Sequence, residues 1–286
     1  YCPAEAPGGT MPWGRRLASG WRTPLLFAVS FLALILLWQI AARLLGSSML
    51  LPAPGESFVA TAHLMADASF LQHVSATLWR ALLAFVLASA GAGVVGIAAG
   101  SVPSLEVVLR PWILIVRSTP VISIILITLV LLRSDVVPSV VALLLTFPLV
   151  YATVVEGVHS VDPSLEEMSS LYRVPLGRRI RRLYVPTVAP FFLSGLHAAL
   201  GLTFKVVAAA EVLSQPRYGV GSAMQEARIL LNTAEVIAWT IILLVLSGLG
   251  EIAFRGLRRI ATWRREDVPE ANSAGPDSSR PAPREL

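Results

Sequence analysis

Long uncharged apolar stretches, separated by short polar segments, dominate the chain. A helix needs about 20 residues to cross the roughly 30 Å hydrocarbon layer of a bilayer, and stretches near that length recur along the sequence. We therefore predict an all-α membrane protein with six transmembrane helices. The predicted spans cover residues 24–45, 81–102, 111–132, 136–155, 188–213 and 236–254.

Composition supports one membrane domain with polar ends. Of the 286 residues, 55% are hydrophobic and 14% charged, whereas soluble domains average about 25% charged residues. The chain is basic, but its arginines cluster beside the apolar spans, where they set topology, so we expect no nucleic-acid partner. Cys2 is the only cysteine, which excludes an internal disulfide and a cysteine-rich metal site.

Arginine placement predicts the orientation of the spans. Arg80, Arg217 and Arg228 flank the alternate connections, whereas fifteen arginines lie on the other side, which the positive-inside rule assigns to the cytoplasm. That side holds Arg15, Arg16, Arg22, Arg173, Arg178, Arg179, Arg181, Arg182, Arg255, Arg258, Arg259, Arg264, Arg265, Arg280 and Arg284. We expect a multi-pass protein of the cytoplasmic membrane with both termini inside.

The predicted domain organisation has three parts. Residues 1–22 are expected to form a cytoplasmic tail, and Met11 resembles a natural start, which leaves open whether residues 1–10 are native. Residues 23–265 form the transmembrane domain, and its first span is a retained anchor because it exceeds a signal peptide's apolar region. Residues 266–286, rich in Pro, Ser and Ala, form a tail that we expect to be disordered.

Small residues recur every fourth position in the second span, at Ala88, Ala92, Gly96 and Gly100. They line one helix face, and such faces allow the close backbone approach that holds membrane helices together. We predict that this span is central and tightly packed. The alternative is an Ala- and Gly-rich composition without structural meaning.

The segment 160–186 is the long charged connection between the fourth and fifth spans. Asp162 and Pro163 predict a strong helix start. An aspartate side chain can cap the first turn of a helix, and proline is tolerated in that turn because its missing N–H group would have no partner there. The helix should end near Arg173, since Pro175 disfavours helix at the residue before it. An apolar face is predicted from Leu165, Met168, Leu171 and Tyr172.

This helix is predicted to dock on a cytoplasmic protein. The alternative is an amphipathic helix lying on anionic lipid. Protein docking is favoured because the regular part of the helix carries Glu166 and Glu167, which anionic lipid would repel.

Three charged residues within the predicted spans are candidates for a transport pathway: Lys205, Glu211 and Arg117. Ionisable groups in the membrane are costly and usually face a partner or a wet cavity. Lys205 either offers positive charge to an anionic solute or extends to the interface. Glu211 either shapes an outer gate or pairs with Arg217 or Arg228. Arg117, near Pro120, marks a kinked entry to the third span.

The loop between the fourth and fifth spans resembles the cytoplasmic signature loop of binding-protein-dependent ABC importer permeases. That pattern is Glu-Ala-Ala, a glycine four positions beyond the second alanine, and a hydrophobic-x-Leu-Pro ending. Glu167 and Pro186 keep its spacing. Met168 and Ser169 stand at the alanines, Arg173 at the glycine and Val185 at the leucine.

Shorter motifs are similar to the nitrate, sulfonate and taurine branch of the same family. They are LPAPGE at residues 51–56, TLWR at 77–80, RSTPV at 117–121, VDP at 161–163, AE at 210–211 and GVG at 219–221. Their order and spacing, more than any one motif, carry the resemblance over residues 51–259.

The resemblance implies a type I, methionine-importer-like permease fold with three kinds of partner. They are a second permease copy, a cytoplasmic ABC ATPase dimer and an extracytoplasmic solute-binding protein. It also implies that the ATPase contacts Leu165, Glu166, Glu167, Met168, Leu171, Tyr172 and Arg173. Independently, the only lysine, Lys205, lies outside any Gly-Lys-Ser/Thr phosphate loop, so ATP hydrolysis is expected in a separate subunit.

We therefore predict the permease subunit of an ATP-driven importer for a small anionic organic solute, similar to a sulfonate, taurine or nitrate. We expect no enzyme activity, cofactor or metal in this chain. An ion-coupled secondary carrier is the main alternative, although no inverted repeat is visible in the sequence. A membrane-embedded enzyme is a third, although no GxSxG, HExxH or paired-carboxylate motif is present.

Overall fold

The computed structural model describes the backbone of residues 22–263 and the side chains of residues 25–256, so the two predicted tails lie outside the described residues. Every regular element in this range is helical. The helices are α1 (Arg22–Leu45), α2 (Pro54–Ala66), α3 (Phe70–Ser101), α4 (Pro103–Ser118), α5 (Val121–Leu131), α6 (Val137–His159), α7 (Pro163–Leu171), α8 (Leu176–Arg179), α9 (Val185–Ser214), α10 (Val220–Ile229) and α11 (Thr233–Trp263). A π-helical turn, Ile180–Tyr184, joins α8 to α9.

Five single helices are long and apolar enough to span a membrane, and the number rises to six if one bent pair of helices counts as a single span. The single spans are Leu25–Leu45, Phe70–Ser101, Val137–His159, Leu176–Ser214 and Thr233–Gly256. The predicted all-α architecture is thereby confirmed. Two spans begin well before their predicted limits, since the second starts at Phe70 instead of residue 81 and the fifth at Leu176 instead of residue 188.

The third predicted span, residues 111–132, is wrong as a single helix. Helices α4 and α5 are bent by 99° at a break that contains Thr119 and Pro120. Proline lacks an N–H group and cannot continue the helical hydrogen-bond ladder, so Pro120 stands as the N-cap of α5. The kink expected beside Arg117 is therefore a complete break, with Arg117 in the last turn of α4.

Helices α3, α6 and α9 form the centre of the fold. Ala88 and Ala92 are fully buried, and a Cβ built on Gly96 would lie 2.8 Å from Cγ1 of Val154. A Cβ on Gly100 would lie 2.7 Å from Cβ of Val158. The small-residue face of α3 thus packs directly on α6, which confirms the predicted close packing of this span.

Two short helices, α2 and α10, were not predicted. They join the start of α3 and helix α11 in a separate apolar cluster built on Val220, Ala223, Trp239 and Ile242. Helix α1 lies at the edge, where Trp38 Nε1 donates a hydrogen bond to the Pro52 carbonyl oxygen at 3.1 Å. Most of its large apolar side chains are exposed, as expected for a helix that faces lipid or another chain.

Candidate functional site

The connection between α6 and α9 begins with the predicted helix start. The Asp162 side chain accepts a hydrogen bond from the Ser164 backbone N–H at 2.8 Å, and Pro163 occupies the first turn of α7. This N-cap satisfies a donor that the helix itself leaves unpaired. The prediction of a short helix from Pro163 to the neighbourhood of Arg173 is confirmed.

Helix α7 ends in a left-handed turn at Arg173, whose φ is 51°. The Val174 N–H donates to the Ser169 carbonyl oxygen and the Arg173 N–H to that of Ser170, which together form a Schellman motif. Glycine usually occupies the left-handed position because it has no Cβ. Arg173 therefore adopts the conformation that the glycine of the resembled loop would favour.

The predicted apolar face of α7 is exposed. Leu165, Met168, Leu171 and Tyr172 have exposed fractions of 44%, 53%, 83% and 75%. We call these four residues the coupling face. A cluster of large apolar side chains open to solvent at a membrane protein's loop is typical of a protein-binding surface.

The two adjacent glutamates of α7 face different surroundings. Glu167 is exposed, whereas Glu166 forms an ion pair with Arg179 and accepts a hydrogen bond from the Tyr184 hydroxyl at 2.8 Å. The Arg179 guanidinium also lies over the Tyr184 ring, 5.8 Å from its centroid. Glu166 thus ties α7 to α8 and the π-helical turn, a role that the sequence did not reveal.

A second charged group lies at the opposite end of α9. The Glu211 carboxylate is fully buried and accepts hydrogen bonds from the Thr77 hydroxyl, from Arg80 Nη1 at 2.7 Å and from the Gly221 N–H at 3.0 Å. Arg80 Nη1 also donates to the Tyr218 carbonyl oxygen at 2.7 Å. We call Thr77, Arg80, Glu211 and Gly221 the Glu211 network.

The predicted partners of Glu211, Arg217 and Arg228, are wrong. Arg217 lies over the Tyr218 ring, and Arg228 donates to Gln225. The fully buried Glu211 side chain connects α3, α9 and the start of α10, so the structure does not support a position for it in a solvent-filled pathway.

The glycines at 219 and 221 permit this close packing. A Cβ on Gly219 would lie 2.7 Å from the Glu211 carboxyl carbon, and a Cβ on Gly221 would lie 2.3 Å from the Ala208 carbonyl oxygen. Thr77 binds the same loop, since its hydroxyl accepts a hydrogen bond from the Val220 N–H at 2.8 Å. The TLWR, AE and GVG motifs, distant in sequence, therefore form one buried unit.

Lys205 lies apart from that unit. Its side chain is exposed on a face of α9 that also presents Ser194, Ala198 and Ala209. It forms no ion pair with any residue between 25 and 256. A lipid-facing surface normally carries large apolar side chains, so this face of small residues and one charge is unusual.

The matching family model is that of the binding-protein-dependent transport system inner membrane component, over residues 92–261. The chain belongs to this family. It is thus a multi-pass membrane permease of the ABC importer type, a family that works with an ATPase and a solute-binding protein. The matched segment contains the coupling face and Glu211 but not Thr77 or Arg80.

Relatives of this permease include a putative aliphatic sulfonates transport permease of Bacillus subtilis, 27% identical, with 86% of this chain and 88% of the relative covered. The taurine transport system permease of Escherichia coli is also 27% identical, over 86% of this chain and 94% of its own. A formylaminopyrimidine transport permease of Halalkalibacterium halodurans is 28% identical, over 82% of this chain and 94% of the relative.

Proposed function

We propose that this permease imports a small organic anion, such as a sulfonate, across the cytoplasmic membrane. Hydrolysis of ATP in a separate subunit would drive the transport. The names of the sulfonate and taurine relatives support the solute class. The observation that carries the mechanism is the exposed coupling face on α7, joined through Glu166 to the helix that leads into α9.

In this mechanism an ATPase subunit grips Leu165, Met168, Leu171 and Tyr172 from the cytoplasm. Nucleotide-driven closure of the ATPase dimer moves α7, and the contacts of Glu166 with Arg179 and Tyr184 carry that movement into α9. Rigid-body transmission between packed helices is a common route of such switching. The exposed Glu167 and Arg173 would form the polar border of the docking surface.

We further propose that two copies of the permease pack around one pathway, with both termini in the cytoplasm. The exposed face of α9 with Ser194, Ala198, Lys205 and Ala209 suits this arrangement. Small residues allow a second copy to approach closely, and Lys205 then faces a partner or water instead of lipid. Lys205 would offer positive charge to the solute.

The test is a reconstitution of the permease with the ATPase and binding protein that co-purify with it. Leu171→Glu places a charge on the coupling face and should abolish co-purification of the ATPase. Glu166→Gln leaves that face intact, so the ATPase should remain bound while solute uptake per ATP hydrolysed falls. Glu226→Gln, an exposed carboxylate on α10, is the matched control and should change neither quantity.

Two results would contradict the proposal. An ATPase that binds Leu171→Glu as well as wild type would show that it docks elsewhere. Uphill transport by the permease alone, abolished by collapsing a proton or sodium gradient, would establish an ion-coupled secondary carrier instead.

A further inference from the structure

A charged cleft of about 420 Å³ lies between α4 and α6, away from the Glu211 network. Glu106, Arg110 and Arg117 of α4 line it on one side, and Tyr151, Glu156 and His159 of α6 line it on the other. Its volume is in the range of cavities that bind small molecules. We call it the α4–α6 cleft.

The two ends of the cleft differ in their charges. At one end His159 Nε2 lies 3.1 Å from a carboxylate oxygen of Glu106, so that carboxylate already has a partner. Arg117 follows Glu106 by eleven residues on α4, which is about 16 Å along a helix. Tyr151 precedes His159 on α6, so Arg117 and Tyr151 belong to the opposite end of the cleft.

Tyr151 carries a buried polar group with no hydrogen-bond partner. The side chain is 6% exposed, and its hydroxyl has no partner among the residues that the structure describes. A buried polar group without a partner is costly, and such groups are uncommon in folded proteins. Tyr151 also lines the cleft, so this unpaired hydroxyl belongs to a residue of the cleft wall.

The two arginines are also available. Arg110 and Arg117 are seven residues apart, so they lie on the same side of α4, and neither forms an ion pair within the described part of the chain. Guanidinium groups bind oxyanions such as carboxylate and sulfonate with paired hydrogen bonds. Because a charge in a membrane helix avoids lipid, both groups require water or a bound anion.

The remaining acidic group, Glu156, is exposed on the wall of the cleft. With Glu106 it places negative charge toward the His159 end, whereas Arg117 lies at the other end of α4 and Arg110 lies between Glu106 and Arg117.

We propose that the Arg117 end of the α4–α6 cleft is a binding site for the oxyanion group of the transported solute. Arg110 and Arg117 supply the positive charge, and the Tyr151 hydroxyl donates a hydrogen bond. With the α6–α7 connection in the cytoplasm, this site lies on the inner half of the route and holds the solute before release. The identity of the occupant rests on the proposed function.

The test uses the fact that Cys2 is the only cysteine. In a Cys2→Ser background, Ala152→Cys places a thiol in the cleft beside Tyr151, and Ser104→Cys places a control thiol on the same helix as Arg117 but outside the cleft. The complete transporter in nanodiscs is labelled with sulfonatoethyl methanethiosulfonate, an anion, and with the trimethylammonioethyl reagent, a cation. The ratio of the two rates measures the local charge.

At Ala152→Cys the ratio of anionic to cationic rate should exceed that at Ser104→Cys by about tenfold. Arg117→Gln should bring the two ratios together, whereas Arg182→Gln, an exposed arginine outside the cleft, should not. Ethanesulfonate should slow labelling of Ala152→Cys by about fivefold or more, and the uncharged ethanesulfonamide should not. Tyr151→Phe should weaken this protection without changing the rate ratio.

Three outcomes would overturn the proposal. They are an unreactive Ala152→Cys, equal rate ratios at the two thiols, and equal protection by the sulfonate and the sulfonamide. Nanodiscs with and without phosphatidylglycerol separate the two sources of an oxyanion, because protection by this lipid but not by ethanesulfonate would assign the site to lipid. Failure of ATP-driven uptake with labelling protection intact would instead refute the proposed function and leave the anion site standing.

Discussion

The Glu211→Gln substitution tests whether the Glu211 network stabilises the end of α9 that finishes at Ser214. The carboxylate accepts all of its hydrogen bonds, from Thr77, Arg80 and Gly221. A glutamine amide keeps the volume but turns one acceptor into a donor, which then faces another donor. The substitution also leaves the Arg80 guanidinium group without its buried charged partner. The Arg80 side chain is only 11% exposed, so water compensates little for that loss.

The expected loss follows from the environment of Arg80. Removing one partner of a buried ion pair costs about 3–5 kcal/mol of unfolding free energy. Asp135 lies 3.7 Å from Arg80 Nη2 and gives partial compensation, but its side chain is 58% exposed, so solvent screens that attraction. We therefore expect a loss of about 3 kcal/mol, which corresponds to a melting temperature about 6–12 °C lower for a domain of this size.

The assay is thermal unfolding of the purified permease in detergent. Size-exclusion chromatography with fluorescence detection measures the fraction that remains folded at each temperature. Glu226→Gln is the control, and this exposed substitution should change stability by no more than about 0.5 kcal/mol. The double variant, Arg80→Gln with Glu211→Gln, should lose unfolding free energy too. Its loss should be about 1–3 kcal/mol smaller than the sum of the losses of the two single variants. A melting temperature for Glu211→Gln equal to that of Glu226→Gln, or strictly additive losses, would refute the reasoning.

Three further substitutions have defined outcomes. Gly96→Leu should sharply lower the yield of folded protein, because even the Cβ of the new side chain would lie 2.8 Å from Val154. Gly248→Leu is the control and should not lower the yield, because the space around Gly248 is open. Equal yields for the two variants would contradict the packing of α3 on α6. Arg173→Gly should stabilise the end of α7 by about 1 kcal/mol, because glycine adopts the left-handed conformation of residue 173 without strain. Amide hydrogen exchange in α7 should then be about fivefold slower. Faster exchange would count against the left-handed turn. Tyr151→Phe should leave the melting temperature unchanged or raise it, since the hydroxyl has no partner in the described chain; a loss above about 1 kcal/mol would reveal a bond to it.

Features encoded by neighbouring residues were predicted well. The Asp162–Pro163 start of α7 depends on a cap two residues away from its donor, and the small-residue face of α3 follows from a regular spacing. Five of the six predicted spans follow from length and hydrophobicity alone, whereas the third is broken at Pro120. Local patterns of this kind require no knowledge of which helices meet.

Features that depend on distant partners were missed. Arg80 lies 131 residues before Glu211, and periodicity does not identify such a pair. The residues of the Glu211 network lie in the TLWR, AE and GVG motifs. The sequence showed each motif but not that the three motifs contact one another. Likewise, Pro120 indicated a kink but not its size, which is a break of 99° between α4 and α5.

Each end of the helical stretch from Leu176 to Ser214 is fixed by a carboxylate and an arginine. These 39 residues span about 58 Å, more than the thickness of the hydrocarbon layer. Bending is easiest where the hydrogen-bond ladder is irregular, at the π-helical turn and at Pro190. Motion that begins at α7 should therefore enter α9 by bending its first turns, while the half that ends at Ser214 stays packed against α3 and α10.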